Sequence, residues 1–469
     1  MPGRAVRRGA GARRGPRVAR RVACLRYRRA VRLPAGQWLR PTIAALVGGA
    51  LVVFAAKAIG RWHYDPTIWP LAGWYVPPDF GDFYGAAEAV LRGDNPYQAD
   101  LSREWLGFVY PPLLAWLMTP LTLLPVTTAV SVWAALTLLF VVAALWVLDV
   151  RDWRCYPLAL LSPFARETLE FGAIDGLLLL TVALTWRYRD APARAAASSG
   201  LTIALKLFLW PLALWLALSG RVRTALLTCA AGAGFVLVPW ALIGFQGLGG
   251  YRQLLGDVAN QEDGSYSLVA LAEQLDVATT FARNLSVGVA ALLVFLSFRA
   301  ARDPRYDRRV RDRRSFTLAI AAALALTPVV WNHYLLLLFV PVAIARPRLS
   351  GLWVLPFAAN ALYLFDWYGP KPNGLAPRVA MAAIAVVTIV LSIEAQVRPR
   401  SNALRPLWHR LGKGRFWRTA AGGLAIAAVV TVGFVATPEL LNDRPYNPLG
   451  RDTSHVRPPP GSGGGFGQQ

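Results

Sequence analysis

The sequence is poor in the residues that build disulfide frameworks and metal clusters. Its three cysteines, Cys24, Cys155 and Cys229, lie far apart, and its four histidines are scattered along the chain. Neither set has the spacing of a disulfide-stabilised domain or of a zinc site. We therefore predict neither a disulfide scaffold nor a metal centre.

Acidic residues are also scarce, with 26 against 50 lysines and arginines, which gives a formal net charge of +24. A charge of this size can indicate a nucleic-acid-binding protein. Here, however, the basic residues form blocks between apolar stretches, as they do in the cytoplasmic loops of membrane proteins. We expect no nucleic-acid partner, and we interpret the charge as a signature of membrane topology.

Apolar residues are abundant instead: 55% of the 469 residues are hydrophobic, and the mean hydropathy is +0.39. A soluble globule cannot bury so much apolar surface, whereas membrane lipids can cover it. The runs predict an all-α, polytopic transmembrane helical bundle of about 12–13 spans, several of them short. They lie near 42–60, 109–125, 127–149, 155–168, 171–187, 200–219, 223–244, 282–298, 315–330, 332–346, 350–366, 376–397 and 419–437.

The two ends of the chain differ from this central part. Residues 1–40 contain 13 arginines and no acid, which predicts a disordered cytoplasmic arm. The Pro/Gly-rich tail over 438–469 is of low complexity and predicted to be disordered. The transmembrane domain then covers 41–437. No segment of the sequence resembles a separate soluble catalytic domain, so an active site must be built from loops and from the ends of spans.

Charge assigns the loops to the two sides of the cell membrane. Alternation from a cytoplasmic N-terminus places 61–108 and 246–281 outside, and both are net acidic. It places the arginine-rich loops near 299–314 and 398–418 inside, in agreement with the positive-inside rule. The same alternation puts Arg187, Arg189 and Arg194 outside. Either the 155–187 region is re-entrant, or these arginines bind an anion.

The first outside loop contains the two candidate acids, Asp79 and Asp82. The segment 82–92 has small and apolar residues at helical spacing, which predicts a short interfacial helix. Asp79 would lie just before its first turn, either as an N-cap or as a general base that takes the proton of a sugar hydroxyl. Asp82 is the competing candidate for the base, and a solvated surface acid is its structural alternative.

The motifs of this loop carry a resemblance to glycosyltransferase family 87. The pattern Asp-Phe-x-x-Phe-Tyr-x-Ala-Ala begins at Asp79, and Gly-Asp-Asn-Pro-Tyr and Tyr-Pro-Pro-Leu follow it. Further motifs similar to those of the family are Gly-Leu-Thr-Ile-Ala-Leu-Lys at 200–206, Ser-Leu at 267–268 and Trp-Asn-His at 331–333. The resemblance covers roughly 40–400 and implies a GT-C fold. The chain departs from the family at 172–175, where Gly-Ala-Ile-Asp replaces Gly-Gln-x-Asn.

The resemblance implies a hexosyltransferase that depends on a polyprenyl phosphate sugar, most simply mannose, and that needs no cofactor. Asp79 maps onto the base, and a direct displacement by the acceptor hydroxyl inverts the anomeric centre. The leaving phosphate needs a cation, and no metal is required if a lysine or arginine supplies the charge. Asp79 and Asp82 would remain possible metal ligands.

Lys206 is the first choice for the phosphate, because an ionisable residue about two turns inside its span is costly without a partner. The alternative interpretation is that the Lys206 side chain only extends to the membrane–water interface and has no role in binding. Arg187, Arg189 and Arg194 are weaker candidates. His333 could donate a hydrogen bond to phosphate or acceptor, or belong to an interfacial aromatic belt. Further candidates, which could stack on sugar faces, are Tyr97, Tyr110, Trp331 and Tyr334.

The acceptor expected from the resemblance is a glycolipid or a cell-envelope glycan on the outer face of the plasma membrane. Arabinose and other polyprenyl-linked sugars remain open alternatives to mannose. A flippase or transporter of lipid-linked sugars is the rival of another class, although we find no internal repeat of the kind that transporters show. An O-antigen-type ligase or polymerase is a further rival, which the acidic loop directly after the first span disfavours.

Overall fold

Helices form the regular structure of the described chain. The computed structural model describes residues 76–98, 107–260, 265–359 and 375–397, and no strand occurs among them. All of them fall within one unit of the chain. The all-α prediction is confirmed. The predicted arm (1–40), first span (42–60), last span (419–437) and tail (438–469) lie outside the described residues.

Sixteen α-helices occur in these ranges. The first eight are α1 (Pro78–Arg92), α2 (Leu113–Met118), α3 (Val126–Val147), α4 (Cys155–Leu160), α5 (Pro163–Phe171), α6 (Asp175–Tyr188), α7 (Pro192–Leu205) and α8 (Pro211–Leu218). The others are α9 (Val222–Leu242), α10 (Leu248–Ala259), α11 (Leu268–Glu273), α12 (Thr279–Arg302), α13 (Arg308–Leu326), α14 (Phe339–Ala345), α15 (Gly351–Ala358) and α16 (Leu375–Val397).

Four of these helices, α3, α9, α12 and α16, are long and apolar enough to cross a membrane. They confirm a polytopic helical membrane protein. Other predicted spans are broken into shorter helices: the run near 155–168 contains α4 and the start of α5, and the run near 200–219 is interrupted at Lys206. Proline begins both α5 and α8, at a position where its missing N–H costs no hydrogen bond.

Helix α1 begins four residues earlier than the sequence pattern predicts. Pro78 occupies its first turn, and the N-cap is Pro77, so Asp79 lies inside the first turn and is not the cap. The alternative interpretation of Asp79 as an N-cap is therefore wrong. The apolar face of α1, with Phe80 and Phe83 fully buried, packs into the main hydrophobic core.

Ion pairs join several helix ends at one end of the bundle, which we call the basic end. Arg221, which precedes α9, binds Asp312 of α13 at 2.6 Å, and Arg189, which follows α6, lies 3.3 Å from the same carboxylate. The loop after α6 is thus at the same end as the arginine-rich loop near 299–314. This corrects the alternation that separated them, because the short helices over 155–171 do not count as a full crossing.

Candidate active site

A glycine brings the start of α1 against the segment that leads into α6. Gly172 has φ +68°, and a β-carbon added to it would lie 2.6 Å from Cβ of Phe80. The indole N–H of Trp133 donates to the carbonyl of Gly172 at 2.7 Å and holds this turn in place. Only glycine combines that backbone conformation with so close a contact. Asp79, next to Phe80, is thereby placed near Asp175.

Lys206 lies at the break between α7 and the 3₁₀ helix Leu207–Leu209. Its backbone is extended (φ −141°, ψ 107°), and its side chain is 5% exposed. The ammonium nitrogen Nζ is 3.2 Å from Oδ2 and 3.5 Å from Oδ1 of Asp175, which is fully buried at the start of α6. A buried lysine requires such a partner. The structure thus places the predicted cation beside a carboxylate.

Aromatic rings line the other side of Lys206. Its Nζ lies 3.5 Å from the ring centroid of Tyr334 and 5.9 Å from that of Tyr110. The ring of Phe208 stacks on Tyr334 with centroids 5.3 Å apart. A cation held over an aromatic face is stabilised by the ring quadrupole. Tyr110 and Tyr334 are therefore brought to the predicted lysine.

His333 belongs to the same cluster. It lies in the 3₁₀ helix Asn332–Leu338 and is buried. Its Nε2 is 3.7 Å from Oδ2 of Asp175, and its Nδ1 is 3.8 Å from Oε1 of Glu167 on α5. The Asn332 side chain forms a hydrogen bond with the Glu167 carboxyl group. The imidazole thus lies between two carboxylates, one on each side of the ring.

Asp79 completes the cluster, to which we refer as the charged cluster: Asp79, Glu167, Asp175, Lys206 and His333. Asp79 is half-buried in the first turn of α1. The pKa of Asp79 is raised to about 7, mainly by burial, with a smaller contribution from the negative charge of Asp175 and against the opposing effect of the positive charge of Lys206. Asp82 lies one turn further along α1 and is 8% exposed.

Tyr97 is placed outside the charged cluster. Its hydroxyl donates to the backbone carbonyl of Tyr110 at 2.9 Å, and its ring packs against Trp240 and Tyr251. Tyr97 therefore holds the backbone of Tyr110, which is one of the two tyrosines near Lys206. Trp331 is half-buried and directly precedes the 3₁₀ helix that carries His333.

Arg187 and Arg189 are not brought to the charged cluster. Both lie at the C-terminal end of α6, whereas Asp175 is its first residue, and a helix of 14 residues is about 21 Å long. Arg189 binds Asp312 and packs over the ring of Trp186 at 4.0 Å, and Arg194 lies over Tyr188. The predicted position of these arginines beside a phosphate is corrected, because they belong to the basic end.

Two members of the cluster were not assigned a role from the sequence. In the sequence, Asp175 is part of a departure from a family motif, and Glu167 stands in the Arg-Glu-Thr-Leu-Glu segment, where it resembles a surface acid. The available signal was the position of both acids within apolar runs that need partners for charge. Within the described ranges, no group of three or more His, Cys, Asp or Glu side chains has the arrangement of a metal site.

Comparison with known proteins agrees with the resemblance that the motifs carry. A family model described as glycosyltransferase family 87 matches residues 108–331. The resemblance to glycosyltransferase family 87 is confirmed. The matched segment includes Tyr110, Glu167, Asp175 and Lys206, and it ends two residues before His333. No solved structure is a significant match to the chain.

Two relatives come from Mycolicibacterium smegmatis. An alpha-(1->3)-arabinofuranosyltransferase is 28% identical over 183 residues, which are 36% of this chain and 43% of the relative. A polyprenol-phosphate-mannose-dependent alpha-(1-2)-phosphatidylinositol mannoside mannosyltransferase is 25% identical over 477 residues, which are 89% of this chain and 97% of the relative. The chain thus spans less than half of the first relative and nearly all of the second. The family 87 match and the relatives' names confirm the predicted enzyme class, a glycosyltransferase.

Proposed function

We propose that this membrane glycosyltransferase moves a sugar, most simply mannose, from a polyprenyl phosphate carrier to a hydroxyl group of a glycolipid or cell-envelope glycan. The proposal depends on one observation. A carboxylate on α1 and a buried lysine after α7 act on each other within the charged cluster, although 127 positions separate them in the sequence. One group suits the acceptor, and the other suits the leaving phosphate.

The reaction is a single displacement. The acceptor oxygen attacks the anomeric carbon, its proton passes to Asp79, and the bond between that carbon and the phosphate oxygen breaks. The carrier leaves as a polyprenyl phosphate with one more negative charge. Lys206 stabilises this charge, and His333 donates a hydrogen bond to the phosphate or the acceptor. Attack from the side opposite the phosphate inverts the configuration of the sugar.

Mannose is supported by the coverage of the relatives. The relative named for mannose aligns with 89% of this chain, and the relative named for arabinofuranose aligns with 36%. We place the site on the outer face of the cell membrane and the basic end on the cytoplasmic face. This follows from the positive-inside rule, because the basic end carries the arginines of 299–314.

The test is transfer by the purified protein in liposomes, with labelled polyprenyl phosphate mannose, the matching arabinose donor and a panel of glycolipid acceptors. Asp79→Asn removes the base with almost no change of size, and we expect the rate to fall roughly 10²–10⁴-fold. Asp82→Asn is the matched control on the same helix and should retain activity.

The outcomes separate the alternatives. Loss of transfer in Asp79→Asn alone, with donor still bound, supports the mechanism. Loss in Asp82→Asn alone transfers the role of base to Asp82. Transfer from the arabinose donor in preference to the mannose donor would show that the transferred sugar is arabinose. If the wild-type protein moves intact donor across the bilayer and forms no product, it is a flippase of lipid-linked sugars.

A further inference from the structure

Asp175 is a carboxylate that the proposed reaction does not use. It is fully buried, and both of its oxygens face Lys206, at 3.2 and 3.5 Å from Nζ. Among the described residues, it is the one acid that forms an ion pair with Lys206. A lysine meant to hold a phosphate is thus already neutralised by a side chain of the protein.

Asp175 lies at a helix terminus and beside a second group of the charged cluster. It is the first residue of α6, where the N-terminal end of the helix carries a partial positive charge that stabilises a carboxylate. Nε2 of His333 lies 3.7 Å from Oδ2, which is also the carboxylate oxygen closer to Nζ of Lys206. Both groups that we assign to the phosphate are therefore in contact range of the same aspartate.

We propose that Asp175 competes with the carrier phosphate for Lys206 and thereby favours release of the product carrier over retention. This inference rests on the proposed function. The donor is a phosphodiester with one negative charge, whereas the product is a phosphate monoester with a charge of about −1.5 to −2 at pH 7. Repulsion by a fixed carboxylate grows with the charge of the phosphate. Asp175 therefore weakens the binding of product more than the binding of donor.

This competition addresses a difficulty that a single buried cation creates. A free lysine would bind the product more tightly than the donor, since the product carries the larger charge, and release would limit turnover. With Asp175 beside it, Lys206 returns to an ion pair inside the protein when the product leaves, so no buried charge remains unpaired. Asp175 acts on the phosphate in two ways, by occupying Lys206 and by the repulsion of its own charge, and it controls the affinity for the carrier without taking part in the chemical step.

The test measures two dissociation constants without acceptor, at pH 8, where the monoester is fully ionised. The ligands are polyprenyl phosphate and polyprenyl phosphate mannose, and the proteins are wild type and Asp175→Asn in liposomes. We expect Asp175→Asn to lower the Kd of polyprenyl phosphate on the order of tenfold more than it lowers the Kd of the mannose donor. A structural role alone would not change the ratio of the two constants.

Two further variants keep the test decisive if Asp175→Asn does not fold. Lys206→Gln and the double variant Lys206→Gln/Asp175→Asn differ only in Asp175, and neither contains an unpaired buried lysine. The step from the first to the second should again favour polyprenyl phosphate over the donor. Asp190→Asn is the matched control, since Asp190 lies just beyond the other end of α6, where it pairs with Arg221 and Arg308. It should leave both constants unchanged.

The outcomes distinguish this inference from the proposed function. If wild type binds neither ligand, the site is not a carrier site, and the proposed function fails. If wild type binds both and the ratio stays constant in Asp175→Asn and in the Lys206→Gln pair, the role of Asp175 is overturned, while the carrier site stands. A ratio that shifts in Asp190→Asn to the same extent would also overturn it, because the effect would then not depend on contact between the acid and Lys206.

Discussion

The residue that determines how the reaction should depend on pH is Asp79. It works as a base only when ionised, and burial raises its pKa to about 7 despite the positive charge of Lys206. We therefore expect kcat/KM for transfer to increase with pH up to about 7 and to level off above about pH 8. The measurement is a pH profile of initial rates in liposomes. A profile that decreases between pH 6 and 8 would contradict Asp79 as the base, and Asp82→Asn should keep the wild-type profile.

Single residues of the site were predictable to different degrees. Lys206 and His333 stood out because each is ionisable within an apolar run, and the structure places both in one cluster. The partnership between Lys206 and Asp175 was not predictable, because 31 positions separate them and a helix break brings them together. Tyr97 shows the reverse case. Its aromatic ring could stack on a sugar, but in the structure the ring packs against other side chains of the protein.

At the scale of elements, the contact between α1 and the turn at Gly172 determines where Asp79 lies. Gly172→Ala would force a non-glycine residue to φ +68° and place its Cβ 2.6 Å from Phe80. The backbone conformation alone costs about 1–2 kcal/mol, and α1 must also shift. We expect a lower unfolding temperature in detergent and a loss of transfer activity, measured on the same preparation.

The control for that substitution is Gly234→Ala in α9. A Cβ at Gly234 would meet nothing within 4 Å, and alanine favours the interior of a helix. Its unfolding temperature should stay the same or increase, with unchanged transfer. If Gly172→Ala behaved like Gly234→Ala, the close contact with Phe80 would not be what positions α1.

The short helices show which features of the fold hydrophobic runs do not predict. A run of apolar residues near 200–219 has the length of a span, but the chain leaves the helix at Lys206 and re-enters it at Pro211. The run near 155–168 likewise contains two short helices. Average hydropathy does not register such breaks, because they change the direction of the chain and not its polarity. The error in sidedness for Arg187 and Arg189 has this origin.

For the whole molecule, the proposed topology places the basic end and the charged cluster on opposite faces of the membrane. Single cysteines introduced at the exposed positions Arg309 and Asp94, in a background without the native cysteines, test it with a membrane-impermeant thiol reagent on intact cells. We expect Asp94→Cys to be labelled from outside, and Arg309→Cys only after the cells are opened. Labelling of both from the same side would contradict the arrangement, because α9 connects the two ends.

The overall class of the molecule was the most predictable feature, since membrane residence follows from composition and the family resemblance from motifs in order along the chain. The internal ion pairs of the basic end were not predictable from the sequence. Asp312 and Arg221 lie 91 positions apart and meet only because α9 and α13 begin at the same end of the bundle. Charge in that region predicted a cytoplasmic surface, and the structure shows that part of it is buried.

Helix α6 connects the two charged regions, and its ends differ in their response to ionic strength. At 1 M salt the screening length is about 3 Å, so exposed charges lose most of their attraction. The contact of Arg308 with Asp190 is of that kind, with both side chains more than half exposed, whereas Arg221 and Asp312 are less than one-tenth exposed. High-salt washing of membranes should therefore loosen the periphery of the basic end first, while α6 still holds Asp175 opposite Lys206.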